Sequence, residues 1–133
     1  MSETTGPTVL YVEDEPLIQE LAVAALEEAG FDVAIAASGA QALAALDERG
    51  ADFKALVTDV DLGDGPNGWD VAKAAREKFP AMPVVYVSGG SSNDWPSMGV
   101  PGSVILPKPF AMGQLVVALS NAMLHPEGGP ASH

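Results

Sequence analysis

Five short apolar runs alternate with stretches of helical periodicity, and no other feature limits the possible folds of this chain so tightly. The runs at 8–12, 31–36, 55–58, 83–87 and 103–106 are apolar at consecutive positions rather than at every second one. A strand that alternates buries one face. A strand that is apolar throughout is buried on both, as in a parallel sheet covered by helices on each side. The segments between supply those helices. Leu17, Ile18, Leu21, Ala22, Ala25, Leu26 and Ala29 recur at helical spacing between Pro16 and Gly30, a first-turn proline and a C-terminal stop. Ser38 and Gln41 predict a capping box ahead of Ala42, Leu43, Ala45 and Leu46, with Gly50 closing that helix. Val71, Ala72, Ala75 and Phe79 place a third helix over 69–79, stopped by Pro80. In 91–101, Pro96 and Gly99 keep any helix around Asp94 and Trp95 short. Leu115, Val116, Leu119, Ala122 and Met123 form the inward face of a last helix over 113–124, and a Pro/Gly-rich tail at 125–133 is expected to be flexible. The expectation is one α/β domain over 7–124, a doubly wound parallel sheet of five strands.

Composition narrows the functions open to such a domain. Eighteen acids against six bases give a net charge of -12, which disfavours nucleic acid and anionic membranes as partners. The absence of cysteine excludes disulfides, thiolate catalysis and Cys-ligated zinc. No apolar run approaches the ~18 residues of a membrane span and no secretory leader is visible, so a cytoplasmic location is expected.

In an open α/β sheet, ligands bind beyond the carboxyl ends of the strands. The first strand ends in Glu13 and Asp14, the third in Asp59 followed by Asp61, the fourth in Ser88, and the fifth in Lys108 between two prolines. Three carboxylates in one crevice repel one another unless a cation sits among them. Oxygen-only ligands favour a hard divalent ion, with Mg²⁺ the usual choice beside a phosphate. A metal and an ammonium flanking a carboxylate would neutralise an incoming phosphoryl group, leaving the carboxylate as nucleophile and an aspartyl phosphate as product. Ser88 is placed to donate a hydrogen bond to a phosphoryl oxygen.

On these residues the chain resembles the receiver domains of two-component response regulators. The resemblance rests on Val-Leu-Tyr-Val-Glu-Asp-Glu-Pro at 9–16, Leu-Val-Thr-Asp-Val-Asp-Leu at 56–62, Val-Val-Tyr-Val-Ser-Gly at 84–89 and Leu-Pro-Lys-Pro-Phe at 106–110. It implies a flavodoxin-like strand order 2-1-3-4-5. It implies Asp59 as phospho-acceptor and Mg²⁺ held by Asp14, Asp59, the backbone carbonyl of Asp61 and, through water, Glu13. Ser88, Gly89 and Lys108 become the phosphoryl-contacting and switch residues, and Pro109 follows a cis peptide bond. The partners implied are a histidine kinase or histidine phosphotransfer protein and a downstream protein target. The chain is expected to be a stand-alone receiver, a signalling protein rather than an enzyme, that catalyses only its own phosphorylation and dephosphorylation. It departs from the family pattern at Ile105, where most receivers carry an aromatic residue, in the shortness of its fourth helix, and in its 63–68 loop.

Other readings compete with this one. A receiver excised from a hybrid histidine kinase is one alternative; an unphosphorylated pseudo-receiver is another, and the intact acid set and Lys108 argue against it. Asp59-Val60-Asp61 also matches the D-x-D of haloacid-dehalogenase-like phosphatases, but that family places its acidic pair after the lysine, where this chain has only Glu127. The loop from Gly63 to Gly68 matches G-x-G-x-x-G, yet it follows the third strand and has Asp59 and Asp61 where a pyrophosphate would approach.

Overall fold

A computed structural model describes residues 6–90 and 92–124; the expected tail at 125–133 lies outside the described residues. The elements run β1 (Thr8–Val12), α1 (Pro16–Glu28), β2 (Asp32–Ala36), α2 (Gly39–Arg49), β3 (Phe53–Asp59), α3 (Gly68–Lys78), β4 (Val84–Ser88), α4 (Trp95–Met98), β5 (Val104–Pro107) and α5 (Met112–Leu124). Short 3-10 turns lie at Gly50–Asp52 and Ser92–Asp94. All strand pairs are parallel, and the sheet order is β2-β1-β3-β4-β5. The order reverses at β1, so β1 and β3 are neighbours whose connections leave in opposite directions. Their carboxyl ends therefore open onto a crevice, the usual ligand position of this topology.

Both faces of the sheet are buried, as the unbroken apolar runs require. Leu10, Val12, Leu56, Val84 and Tyr86 pack one way against α2 and α3 through Leu46, Trp69, Val71 and Ala75. Val9, Tyr11, Val57, Val85 and Val87 pack the other way against α1 and α5 through Leu26, Leu115 and Leu119. Trp69 and Tyr86 meet with ring centroids 4.6 Å apart and planes tilted by 59°, a favourable aromatic geometry. No helix among the described residues is long and apolar enough to cross a membrane.

Two local expectations change, and α1 leaves part of its apolar face exposed. Leu17 and Leu21 point outward, 64% and 47% exposed, and Ala29 is also exposed. The apolar arc of α1 is wider than the sheet can cover, and only Ala22 and Leu26 are fully buried. Ser38 caps α2 as expected through Gln41 N at 3.1 Å, but the Gln41 side chain accepts from Ala37 N at 2.9 Å rather than from the cap residue itself. The strands also shift by a residue or two, because pairing with neighbours sets their limits; β3 begins at Phe53 opposite Thr8.

Candidate functional site

The site is assembled at the ends of β1, β3, β4 and β5. Glu13 N donates to Ala36 O at 3.0 Å, continuing the ladder one residue past β1. Side chains alternate along an extended chain, so Glu13 is turned inside, 1% exposed, while Asp14 is exposed. Glu13 Oε2 accepts from Glu15 N at 3.1 Å, and the Glu13 carbonyl accepts from Gln19 Nε2 at 2.6 Å. Glu13 Oε1 is buried without a hydrogen-bond partner. Burial pushes the Glu13 carboxyl up to about 7, with the Asp59 and Asp14 carboxylates adding to the effect and the Glu15 N–H and Lys108 opposing it.

Asp59 closes β3 and is 5% exposed. Its two oxygens are held differently. Oδ1 accepts from Asp61 N at 3.2 Å, and Oδ2 accepts from Lys108 Nζ at 2.9 Å. Burial raises the Asp59 carboxyl above its usual range even though Lys108 pulls it down. Burial also works against the Lys108 ammonium, but Asp59, Glu13 and Glu15 outweigh it and hold the group above the ordinary lysine value. The asymmetry follows from position, because the Lys108 side chain is 33% exposed and that of Asp59 6%.

Lys108 is placed by backbone. Its N–H donates to Ser88 O at 2.7 Å, tying the end of β5 to the end of β4, and the Lys108–Pro109 bond is cis. Ser88 is buried at the end of β4. Gly89 is exposed, and a Cβ there would meet only Lys108 Cδ at 3.9 Å. Asp61, Asp64 and Glu15 are exposed around the rim.

Carboxylate oxygens of Glu13, Asp14 and Asp59 lie within 4.8 Å of one another. Three carboxylates share one ammonium, so a further cation would relieve the remaining repulsion. The donor set is all oxygen, and one buried Glu13 oxygen has no partner. These residues fit a hard divalent ion.

The glycine-rich loop has a different purpose from the one its pattern suggests. Gly63 and Gly65 take positive φ values of 77° and 86°, which only glycine adopts readily. Gly68 is needed for closeness: a Cβ there would lie 2.2 Å from the Asp59 carbonyl oxygen. Asn67 and Asp70 form a capping box at 2.9 and 3.0 Å, placing a carboxylate over the N-terminus of α3. A dinucleotide pyrophosphate needs that position free of negative charge. The loop instead packs α3 against the backbone of Asp59.

The segment after β4 carries contacts that the sequence did not announce. The helix is short, as Pro96 and Gly99 require. Trp95 Nε1 donates to Ser103 Oγ at 2.9 Å, and that hydroxyl donates to Val100 O at 2.6 Å. Val100 N donates to the Tyr86 hydroxyl at 3.0 Å, while Arg76 reaches Met82 O at 2.7 Å and Pro101 O at 2.6 Å. Ile105, like Trp95 and Met98, is partly buried against the core on the α2 and α3 side of the sheet. Gln19, Tyr86 and Arg76 are not legible from the strand ends, because each acts from inside an element: Gln19 on the Glu13 carbonyl six residues back, Tyr86 on Val100 and Arg76 on Met82 and Pro101.

Known proteins carry the same arrangement of elements. Residues 9–120 match the family described as the response regulator receiver domain. A response regulator receiver protein from Sinorhizobium medicae is 40% identical, with a TM-score of 0.88 over 94% of this chain and 100% of that one. The sensor kinase CckA of Brucella abortus is 32% identical over 87% of this chain, and the transcriptional regulatory protein TcrA of Mycobacterium tuberculosis is 34% identical over 86%. This chain spans only 12% of the length of the former and 45% of the latter.

Proposed function

From the premise that this chain belongs to the response regulator receiver family, we propose that it accepts a phosphoryl group on Asp59 from a phosphohistidine of a histidine kinase or phosphotransfer protein. The family is one of signalling domains rather than classical enzymes, and the unit proposed to act is 7–124. The observation that carries the reading is the buried Asp59 carboxylate, held through Lys108 Nζ at 2.9 Å beside Glu13 and Asp14. An attacking oxygen of Asp59 forms the new O–P bond as the N–P bond to the donor imidazole breaks, and the imidazole takes up a proton as it leaves. Water later cleaves the acyl phosphate, returning carboxylate and inorganic phosphate.

Asp14, Asp59 and the Asp61 carbonyl would hold Mg²⁺, with Glu13 acting through water. The ion would supply positive charge to the phosphoryl oxygens. Lys108 supplies the second positive charge, Ser88 and Gly89 border the phosphoryl position, and the tie from Lys108 N to Ser88 O keeps both strand ends in register. New negative charge beside Ser88 and Lys108 then biases the surface that a downstream protein reads.

Incubation with acetyl phosphate and Mg²⁺, followed by intact mass measurement, tests this reading. The expected result is one added phosphoryl group that disappears in Asp59→Asn. No adduct in the wild type, or an adduct that survives Asp59→Asn, would overturn it; the former is the behaviour of an unphosphorylated pseudo-receiver. A second reading, a receiver belonging to a hybrid kinase, is supported by the likeness to CckA. It shares the same chemistry and differs only in the source of the phosphoryl group.

A further inference from the structure

Among the described residues, two buried side-chain oxygens lack a hydrogen-bond partner: the Tyr11 hydroxyl and Glu13 Oε1. Tyr11 is fully buried on the α1 and α5 side of the sheet, in a cluster whose other buried members are valine, leucine and alanine. A phenylalanine would fill the same space, so packing alone does not call for the hydroxyl. Buried polar groups are almost always hydrogen-bonded, and two orphans in one region ask for a common reason. The fold puts them on one side of the sheet. Glu13 continues the β1 ladder two residues beyond Tyr11, and side chains two apart on an extended chain share a face. The pairing of Tyr11 with Val57 and of Val12 with Thr58 carries on towards Glu13 and Asp59, so Tyr11 forms the layer directly beneath the acidic site. Burial, reinforced by the negative charge of Glu13 and Asp59, pushes the Tyr11 phenol well above its usual range. The phenol therefore keeps its proton and remains a donor.

We propose that the Tyr11 hydroxyl is a positioning group of the acidic site, donating through one internal water to Glu13 Oε1. A water that meets both atoms satisfies two buried groups at once, and two polar partners are enough to hold an internal water. Glu13 is then held at both oxygens, Oε2 by Glu15 N at 3.1 Å and Oε1 from the layer below. A carboxylate anchored at both ends keeps its orientation towards a cation although Asp14 and Asp59 crowd it. Outer partners of this kind typically change metal affinity by about tenfold or more. The inference rests on the reading of Glu13, Asp14 and Asp59 as a cation site and adds to it a residue from inside a strand.

Calorimetric titration of the full chain with Mg²⁺, paired with ultraviolet difference spectra, tests this. The chain has two tyrosines. The second, Tyr86, accepts from Val100 N at 3.0 Å on the other side of the sheet. Mg²⁺ is expected to perturb the tyrosine absorption of the wild type. Tyr11→Phe should abolish that signal and weaken Mg²⁺ binding by about tenfold, with unchanged circular dichroism. Tyr86→Phe should keep both the signal and the affinity. In a Glu13→Ala background, Tyr11→Phe should weaken binding no further, because the oxygen it serves is gone. Tyr11→Phe binding Mg²⁺ as tightly as the wild type would overturn the inference and leave the cation site standing. An additive loss in the double variant would overturn Glu13 as the partner. A wild type that binds no Mg²⁺ would overturn the cation site and this inference with it.

Discussion

Burial and charge compete at Glu13, and the outcome is readable in solution. Its carboxyl is pushed up to about 7 by burial, so the folded metal-free protein holds a proton that the unfolded chain releases near the ordinary glutamate value. Below that ordinary value both states are protonated and the favourable contribution is fully present. Between it and about 7 only the folded state keeps the proton, and stability falls as pH rises. Allowing for solvent beside exposed Asp14, the loss is on the order of 2 kcal/mol. Asp59, also raised by burial, acts in the same direction. Urea titrations in chelator are therefore expected to give a higher midpoint at pH 5 than at pH 7.5, with the difference reduced in Glu13→Gln; a flat profile would contradict the assignment. Lys108 makes a complementary case. Lys108→Met keeps the stem and removes the charge at 2.9 Å from Asp59, and is expected to slow phosphorylation by acetyl phosphate by about 10²-fold. Both residues were visible in the sequence because strand ends expose their chemistry. The unpartnered Glu13 Oε1 was not, since only the packed core shows which oxygen bulk water cannot reach.

Turns and caps determine how accurately the elements deliver these groups. The loop between β3 and α3 approaches Asp59 so closely that Gly68→Ala would place a Cβ 2.2 Å from its carbonyl oxygen. That variant is expected to lose about 1–3 kcal/mol, and its rate of phosphorylation should fall as the Asp59 backbone shifts. Thermal melts and acetyl phosphate kinetics measure the two effects separately, and a variant unchanged in both would show that the loop gives way freely. Helix positions were legible because periodicity, Pro16, Gly50 and Pro80 mark them locally. The Asn67–Asp70 box was hidden inside a glycine pattern that suggests another use. The Trp95–Ser103–Val100 chain of hydrogen bonds was hidden too, because hydroxyl and indole partners depend on how 95–103 folds back on β4 and β5. The exposure of Leu17 and Leu21 could not be read along the chain: periodicity shows that an apolar face exists, but not how much of it the sheet can cover.

For the molecule as a whole, the charge of -12 has two consequences. Carboxylates gather at the β1 and β3 ends, and the general surplus destabilises the compact state by self-repulsion. Adding about 0.5 M NaCl is expected to raise metal-free stability by about 1 kcal/mol as the Debye length shortens. Unfolding curves at fixed pH check this, and an unchanged or lowered midpoint would mean that local pairing already absorbs the repulsion. The order of strands and helices, their burial on both sheet faces and the residues at each strand end follow from local chemistry: apolar runs, caps and breakers act over a few positions and can be read along the chain. Which carboxylates converge was a matter for tertiary structure. Glu13 and Asp59 lie 46 positions apart and meet because β1 pairs with β3, while Lys108 reaches them because its N–H is tied to Ser88. The same holds for the unpartnered Tyr11 hydroxyl, since burial is a property of what packs against a strand and not of the strand alone.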